Sequence, residues 1–308
     1  MTCKLFPRKF FSQLTFFVLL ILAVNALAQS DKPAEPLVKV NVIVTDRDDR
    51  AVEEVRKEDL QLTEDGAGQS ISFFARDERP VTCGFVIDAS GSVRRILGQL
   101  IDSAKLAAAG LRAGDEAFVA RFVDRDIFQI KQELTGDLEA VADTLDDIYV
   151  EGGQTAVNDA VDKALKYLEE NHSGEPNSRR QILILVTDGE DRASRMKDSK
   201  EILARLRQTS VQVFVLALTK FSSMQSSPKK ATELLNDLAD QSGGRAFFPD
   251  SPSGLPNAAR EIARNLHKQF VVGYASNRSG ERRIQAKWIG RSDQGNRKVI
   301  TKPVVSMK

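Results

Sequence analysis

Cys83-Gly84-Phe85-Val86-Ile87-Asp88-Ala89-Ser90-Gly91-Ser92 is an unbroken apolar run that ends in a cluster of oxygens. The run Cys83 to Ile87 predicts a strand buried on both faces, as in the middle of a parallel sheet. Asp88 arrives where the strand stops, and Ser90 and Ser92 follow at alternate positions. A carboxylate and two hydroxyls around Gly91 can turn their oxygens toward one point. Leu97, Leu100, Ile101, Ala104, Ala108 and Leu111 then fall at helical spacing, so a helix leaves the loop. In an open α/β sheet, ligands sit outside the carboxyl ends of the strands, which makes this cluster a candidate binding site.

The donors are all hard oxygens, a set that favours a cation such as Mg²⁺ over Zn²⁺ or copper. Three oxygens are too few for octahedral coordination, so other stretches must contribute. Glu151-Gly152-Gly153-Gln154-Thr155-Ala156 brings a threonine to the mouth of a helix. Leu183-Ile184-Leu185-Val186-Thr187-Asp188-Gly189-Glu190 is a second apolar strand ending in Asp-Gly. Taken singly, a serine pair after a strand is a helix cap and Asp-Gly is a turn. The three stretches in this order, each at a strand end or helix start, make a ligand set.

Asp88-x-Ser90-x-Ser92, then Thr155, then Asp188-Gly189, resembles the metal-ion-dependent adhesion site (MIDAS) of von Willebrand factor A (VWA) domains, including integrin I domains. The resemblance spans about residues 81–267 and covers all five motif positions. It implies that Ser90 and Ser92 coordinate Mg²⁺ or Mn²⁺ directly, and Thr155 directly or through water. Asp88 and Asp188 are implied to act mainly through bound waters, and a carboxylate from a protein partner to complete the coordination. Neutral hydroxyls around the ion leave it electrophilic, which agrees with an anionic partner group.

Outward from this centre, residues 1–28 read as a removable signal peptide. Lys4, Arg8 and Lys9 precede the apolar stretch Phe16 to Val24, and Ala26-Leu27-Ala28 is a small-x-small cleavage signal. The stretch is short for a membrane span, and no cysteine follows the cleavage site for lipid attachment. The expectation is an exported chain, in periplasm, cell envelope or medium, with no stable span once the signal is removed. A short polar linker, 29–36, leads into residues 37–80, where Leu37 to Val44, Leu60 to Leu62 and Ile71 to Phe74 predict strands. Three strands cannot bury a core alone. The partners are expected from residues 268–308, where Phe270 to Tyr274, Arg283 to Trp288 and Lys298 to Ile300 are also strand-like. Both chain ends then form one small β-sandwich, with an α/β domain over 81–267 inserted between them. The Glu64-Asp65-Gly66 turn before the domain and Gly273-Tyr274 after it resemble a group of bacterial secreted VWA-like proteins.

The middle alternates strands and helices. Strands are predicted at Glu116 to Phe122, Val211 to Leu216 and Arg245 to Phe248, with Ile127 to Gln132 as a hairpin partner at the sheet edge. Helical faces are marked by Leu138, Val141, Leu145 and Ile148, by Val157, Val161, Leu165 and Leu168, and by Leu234, Leu235 and Leu238. Asp198 opens a further helix, and Ala259, Ile262 and Leu266 mark the last. This alternation predicts a doubly wound, mostly parallel, Rossmann-like sheet.

Lys and Arg total 44 against 43 Asp and Glu, so the balanced charge exerts no global pull toward nucleic acid. Arg278, Arg282, Arg283, Arg291, Arg297 and Lys298 make the C-terminal region basic and read as a solvated strand face. Cys83 is the one cysteine left after signal removal and reads as a buried, inert thiol. His172 and His267 read as surface residues, and neither accompanies a nucleophile motif. Ser90 lacks the glycine two residues earlier that a nucleophile elbow requires. A non-enzymatic, metal-dependent protein-binding module is the reading that follows. The alternatives are a scaffold whose metal stiffens loops, and a metal-dependent phosphohydrolase, for which no general base can be named. Phe221 and Met224, in the polar stretch Thr219 to Pro228, are candidate apolar contacts for the partner, with Glu190 beside the metal.

Overall fold

The computed structural model describes residues 37–171, 175, 178–189, 191–196, 198–220, 227–291 and 297–307. Six strands form the central sheet in the order β10-β9-β8-β5-β6-β7. They are β5 (Val81–Asp88), β6 (Glu116–Phe122), β7 (Phe128–Thr135), β8 (Arg180–Thr187), β9 (Gln212–Ala217) and β10 (Arg245–Phe247). All neighbours are parallel except β6 and β7, which form the expected edge hairpin. β5 is buried at every position because parallel neighbours cover its edges and helices cover both its faces. Cys83, Phe85 and Ile87 point into one core, and Val86 into the other. Three helices, α1 (Leu97–Ala108), α2 (Leu138–Asp146) and α6 (Leu255–His267), pack on the first face. α3 (Val157–Glu170), α4 (Ser199–Gln208) and α5 (Pro228–Ser242) pack on the second. Each lays its apolar stripe on the sheet and its charges toward solvent.

The chain ends build two further sheets. β1 (Leu37–Thr45), β4 (Phe73–Arg76), β11 (Phe270–Ala275) and β13 (Lys298–Thr301) form one, in the order β13-β1-β11-β4. β2 (Leu60–Glu64), β3 (Ala67–Gln69), β12 (Gly280–Trp288) and β14 (Val304–Met307) form the other, in the order β14-β12-β2-β3. N-terminal and C-terminal strands therefore interleave in both sheets, β1 pairing β13, β4 pairing β11 and β2 pairing β12, all antiparallel. Val40, Val42, Leu62, Val272, Tyr274 and Ile284 share the core between them. β3 and β14 add to the strands expected from sequence. β3 exists because Asp65 (φ 49°) and Gly66 (φ 85°) form a two-residue turn that pairs Glu64 with Ala67. Positive φ at both positions matches the right-handed twist of a hairpin.

Two sequence expectations are corrected here. Arg282 is not on a solvated strand face. It is 1% exposed, on the inward side of β12, with Nε 3.3 Å from Oε1 of buried Glu64. Ser276 donates to the same carboxylate oxygen at 3.3 Å. His267 is not a surface residue either. Its ring nitrogen Nε2 lies 2.9 Å from Asp115 Oδ2, with both side chains buried. Asp115 stands just before β6, so this pair sits at the amino edge of the sheet, opposite the oxygen cluster. The chain crosses between sheet and sandwich at that same amino edge. There Asp77 accepts from Arg79 (2.6 Å) and Asn41 (2.6 Å) and lies 3.5 Å from Arg180, whose guanidinium also reaches the Leu266 carbonyl. Cys83 is buried as expected, and burial pushes its thiol up, away from reactivity.

Candidate metal centre

β5 and β8 run side by side with Ile87 opposite Val186, so their carboxyl ends deliver Asp88 and Asp188 to neighbouring positions. The chain leaves β5 toward β6 on one side and returns as β8 on the other. The cluster thus lies at the topological switch point of the sheet, where loops diverge and leave a crevice.

Asp88 organises the first loop. Its Oδ1 accepts the Ser90 backbone N–H at 2.9 Å, and its Oδ2 accepts the Thr187 hydroxyl at 2.5 Å. The Ser90 hydroxyl then lies 2.9 Å from the hydroxyls of both Ser92 and Thr155. Ser92 donates to Asp188 Oδ1 at 3.1 Å. Thr155 is steadied from behind, its carbonyl accepting the Arg192 and Ala193 N–H groups at 2.8 and 3.0 Å. The sequence-predicted residues Asp88, Ser90, Ser92, Thr155 and Asp188 are therefore brought into one hydrogen-bonded set from three distant segments. Asp88, Ser90, Thr155 and Asp188 are all buried, and Ser92 is half-buried.

Burial and the nearby charge of Asp188 raise the Asp88 carboxyl to about 7, against the hydrogen bonds from Thr187 and Ser90 that favour its charged form. Two carboxylates buried this close repel, and a cation between them would relieve both the repulsion and the desolvation. The donors are carboxylate and hydroxyl oxygens with no sulfur or imidazole, which fits a hard divalent ion. Among the described residues no group of three or more His, Cys, Asp or Glu is placed to hold a metal ion, so this site, with two carboxylates, depends on its hydroxyls.

Thr187 was not singled out in the sequence, although it stands directly before Asp188. Its hydroxyl donates to Asp88 and accepts the Gly189 N–H at 3.0 Å, so it locks the two loops together. Asp191, which flanks the site in sequence, is occupied with the N–H groups of Ser194, Asn158 and Val157 and serves the start of α3. Glu190, Phe221 and Met224 lie outside the described residues.

Residues 84–261 match the family model of the von Willebrand factor type A domain. The chain belongs to this family. VWA domains mediate protein interactions, often hold a divalent metal at a MIDAS motif, and are generally interaction modules rather than enzymes. Among solved structures, proximal thread matrix protein 1 from the mussel byssus is 16% identical with a TM-score of 0.50, over 67% of this chain and 50% of that one. One of its crystal structures is described as having a zinc-occupied MIDAS motif. A von Willebrand factor type A protein from Catenulispora acidiphila is 13% identical over 90% of this chain and 75% of that one, with a TM-score of 0.48. BatB from Bacteroides thetaiotaomicron is 16% identical over 60% of this chain and 98% of that one, with a TM-score of 0.44. Identities this low speak to the fold alone. No curated protein matches the chain.

Proposed function

We propose that this VWA protein is an exported, metal-dependent protein-binding module and not an enzyme. Asp88, Ser90, Ser92, Thr155 and Asp188 would hold one Mg²⁺ or Mn²⁺, with an Asp or Glu of a protein partner completing the coordination. The observation that carries this reading is the hydrogen-bonded set linking those five residues at the switch point of the sheet. A bound ion supplies positive charge that the neutral hydroxyls do not quench, so an anionic oxygen from outside is favoured. Export rests on residues 1–28, which lie outside the described residues. Among the described residues no helix is long and apolar enough to cross a membrane. The binding domain is assigned to residues 81–267, with 37–80 and 268–308 as its sandwich support. What supports the non-enzymatic reading is the place of His267, which pairs with Asp115 at the amino edge of the sheet, away from the oxygen cluster. Isothermal titration of the purified protein with Mg²⁺ should show saturable binding. Asp88→Ala should show none while its far-UV circular dichroism stays native. Undiminished affinity in that variant would overturn the assignment.

A further inference from the structure

Arg121 is a charged residue near the end of a buried apolar strand, opposite Ile87 of β5 in register. It is 3% exposed, and its guanidinium does not snorkel to solvent. Burying an arginine costs several kcal/mol unless its partners compensate. Nε and Nη2 donate to Gln129 Oε1 at 2.9 and 2.8 Å, which ties β6 to β7. Nη2 also lies 2.6 Å from Glu151 Oε2, and the guanidinium carbon sits 4.5 Å from the centre of the Tyr149 ring. Both of these latter contacts fall on the segment that joins α2 to α3, which carries Thr155.

That segment has no regular secondary structure between residues 148 and 156. It contains Gly152 (φ 106°) and Gly153 (φ 80°), conformations that side-chain-bearing residues avoid. A glycine pair of this kind is a hinge unless something holds it. Its main-chain attachments to the Asp88 loop are the Glu151 N–H to the Ala89 carbonyl at 3.1 Å, and the Gly91 N–H to the Gly153 carbonyl at 3.4 Å. The Arg121–Glu151 ion pair is shorter than either and comes from the rigid sheet. Tyr149 is 55% exposed, yet its ring rests on the same guanidinium. A flat guanidinium can fork to the Gln129 amide oxygen, meet a carboxylate and stack under a ring at once, which an ammonium cannot.

We propose that Arg121 is a positioning residue for metal binding. Through Glu151 and Tyr149 it fixes the glycine-hinged segment, so that the Thr155 hydroxyl already faces Ser90 before an ion arrives. The inference rests on the reading that Asp88, Ser90, Ser92, Thr155 and Asp188 hold a metal.

The test uses the full chain and Mg²⁺ alone. Arg121→Met keeps an unbranched apolar stem in the buried strand but removes the guanidinium that meets Glu151 and Tyr149. It should weaken Mg²⁺ binding by about 10- to 100-fold, the range for partners that orient a metal's ligands. Arg121→Lys restores a charge to Glu151 and should recover part of the loss. Hydrogen exchange of the metal-free protein is the second readout. Amides of residues 150–155 should exchange faster in Arg121→Met, while those of β5 stay protected. If the wild type binds Mg²⁺ and Arg121→Met binds it equally well, with unchanged exchange, the positioning role is wrong. If the wild type binds no Mg²⁺, the metal reading itself falls, and the inference with it. Should Arg121→Met fail to fold, Glu151→Ala carries the same two readouts, since its partly exposed carboxylate is the other half of the clasp.

Discussion

Asp88 is fully buried beside Asp188, and the cost of its charge has a pH signature. Its folded pKa is raised, from 3.8 to about 7, so the folded protein holds this proton longer than the unfolded chain does. The resulting stabilisation is complete below about 3.8 and disappears as the pH climbs through about 7. Metal-free protein should therefore melt at higher temperature near pH ~5 than near pH ~7.5, with at most about 3 kcal/mol from this group across that interval. Asp77 and Asp115 do not obscure the window. Their carboxyls are held below the ordinary range in spite of burial, Asp77 by Arg79 and Arg180 and Asp115 by His267, so they lose stability only in stronger acid. Saturating Mg²⁺ should reverse the slope, because the ion binds the deprotonated pair. Thermal melts across this range, with chelator and with Mg²⁺, check both statements. Asp88→Asn should flatten the chelator profile, and a profile still falling toward neutral pH in that variant would assign the effect elsewhere.

At the scale of the element, β5 determines the sheet around it. Its apolar run was legible because a strand covered on both faces needs no alternation. What could not be read was the reason for Gly84 in the middle of it. A Cβ there would fall 2.3 Å from Phe118 and 2.7 Å from Leu183, on the two flanking strands. Phe118 thus occupies the space that a side chain on β5 would claim, and its ring also packs 4.5 Å from that of Tyr167 on α3. Gly84→Ala should destabilise the protein by about 1–3 kcal/mol through overpacking. Urea unfolding would register it as a lower midpoint with an unchanged slope. A neutral result would mean that Phe118 has another rotamer available.

For the whole molecule, the α/β domain is inserted in a sandwich that neither chain end could build alone. Glu64 from the first end and Arg282 from the second meet inside that sandwich, 2% and 1% exposed. Arg282→Met strands a buried carboxylate and should cost about 3–5 kcal/mol. Exchanging both partners, Glu64→Leu with Arg282→Met, should recover most of that loss, since a well-packed apolar pair of similar volume replaces a buried ion pair at little cost. A denaturation cycle over the two single variants and the double variant measures the coupling. Additive losses would show that the two side chains do not depend on each other.

The sequence alone determined the alternation of strands and helices, the sandwich contributed by both ends, and the oxygen-bearing residues at Asp88, Ser90, Ser92, Thr155 and Asp188. Each is carried by local signals: apolar periodicity, turn residues, and hydroxyls or carboxylates where strands stop. β3 escaped because Ala67-Gly68-Gln69 has no β-forming side chains, and only its turn and the pairing with β2 make it a strand. Tertiary structure alone decided the fate of the isolated charges. Arg282 and Arg121 look like surface arginines in one dimension, since the cost of burying a cation predicts exposure. What keeps each inside is a carboxylate from a distant segment, Glu64 for one and Glu151 for the other. His267 follows the same logic with Asp115. Periodicity reports which face of an element is apolar; whether a charge on that face finds its counterion depends on how the chain is brought together.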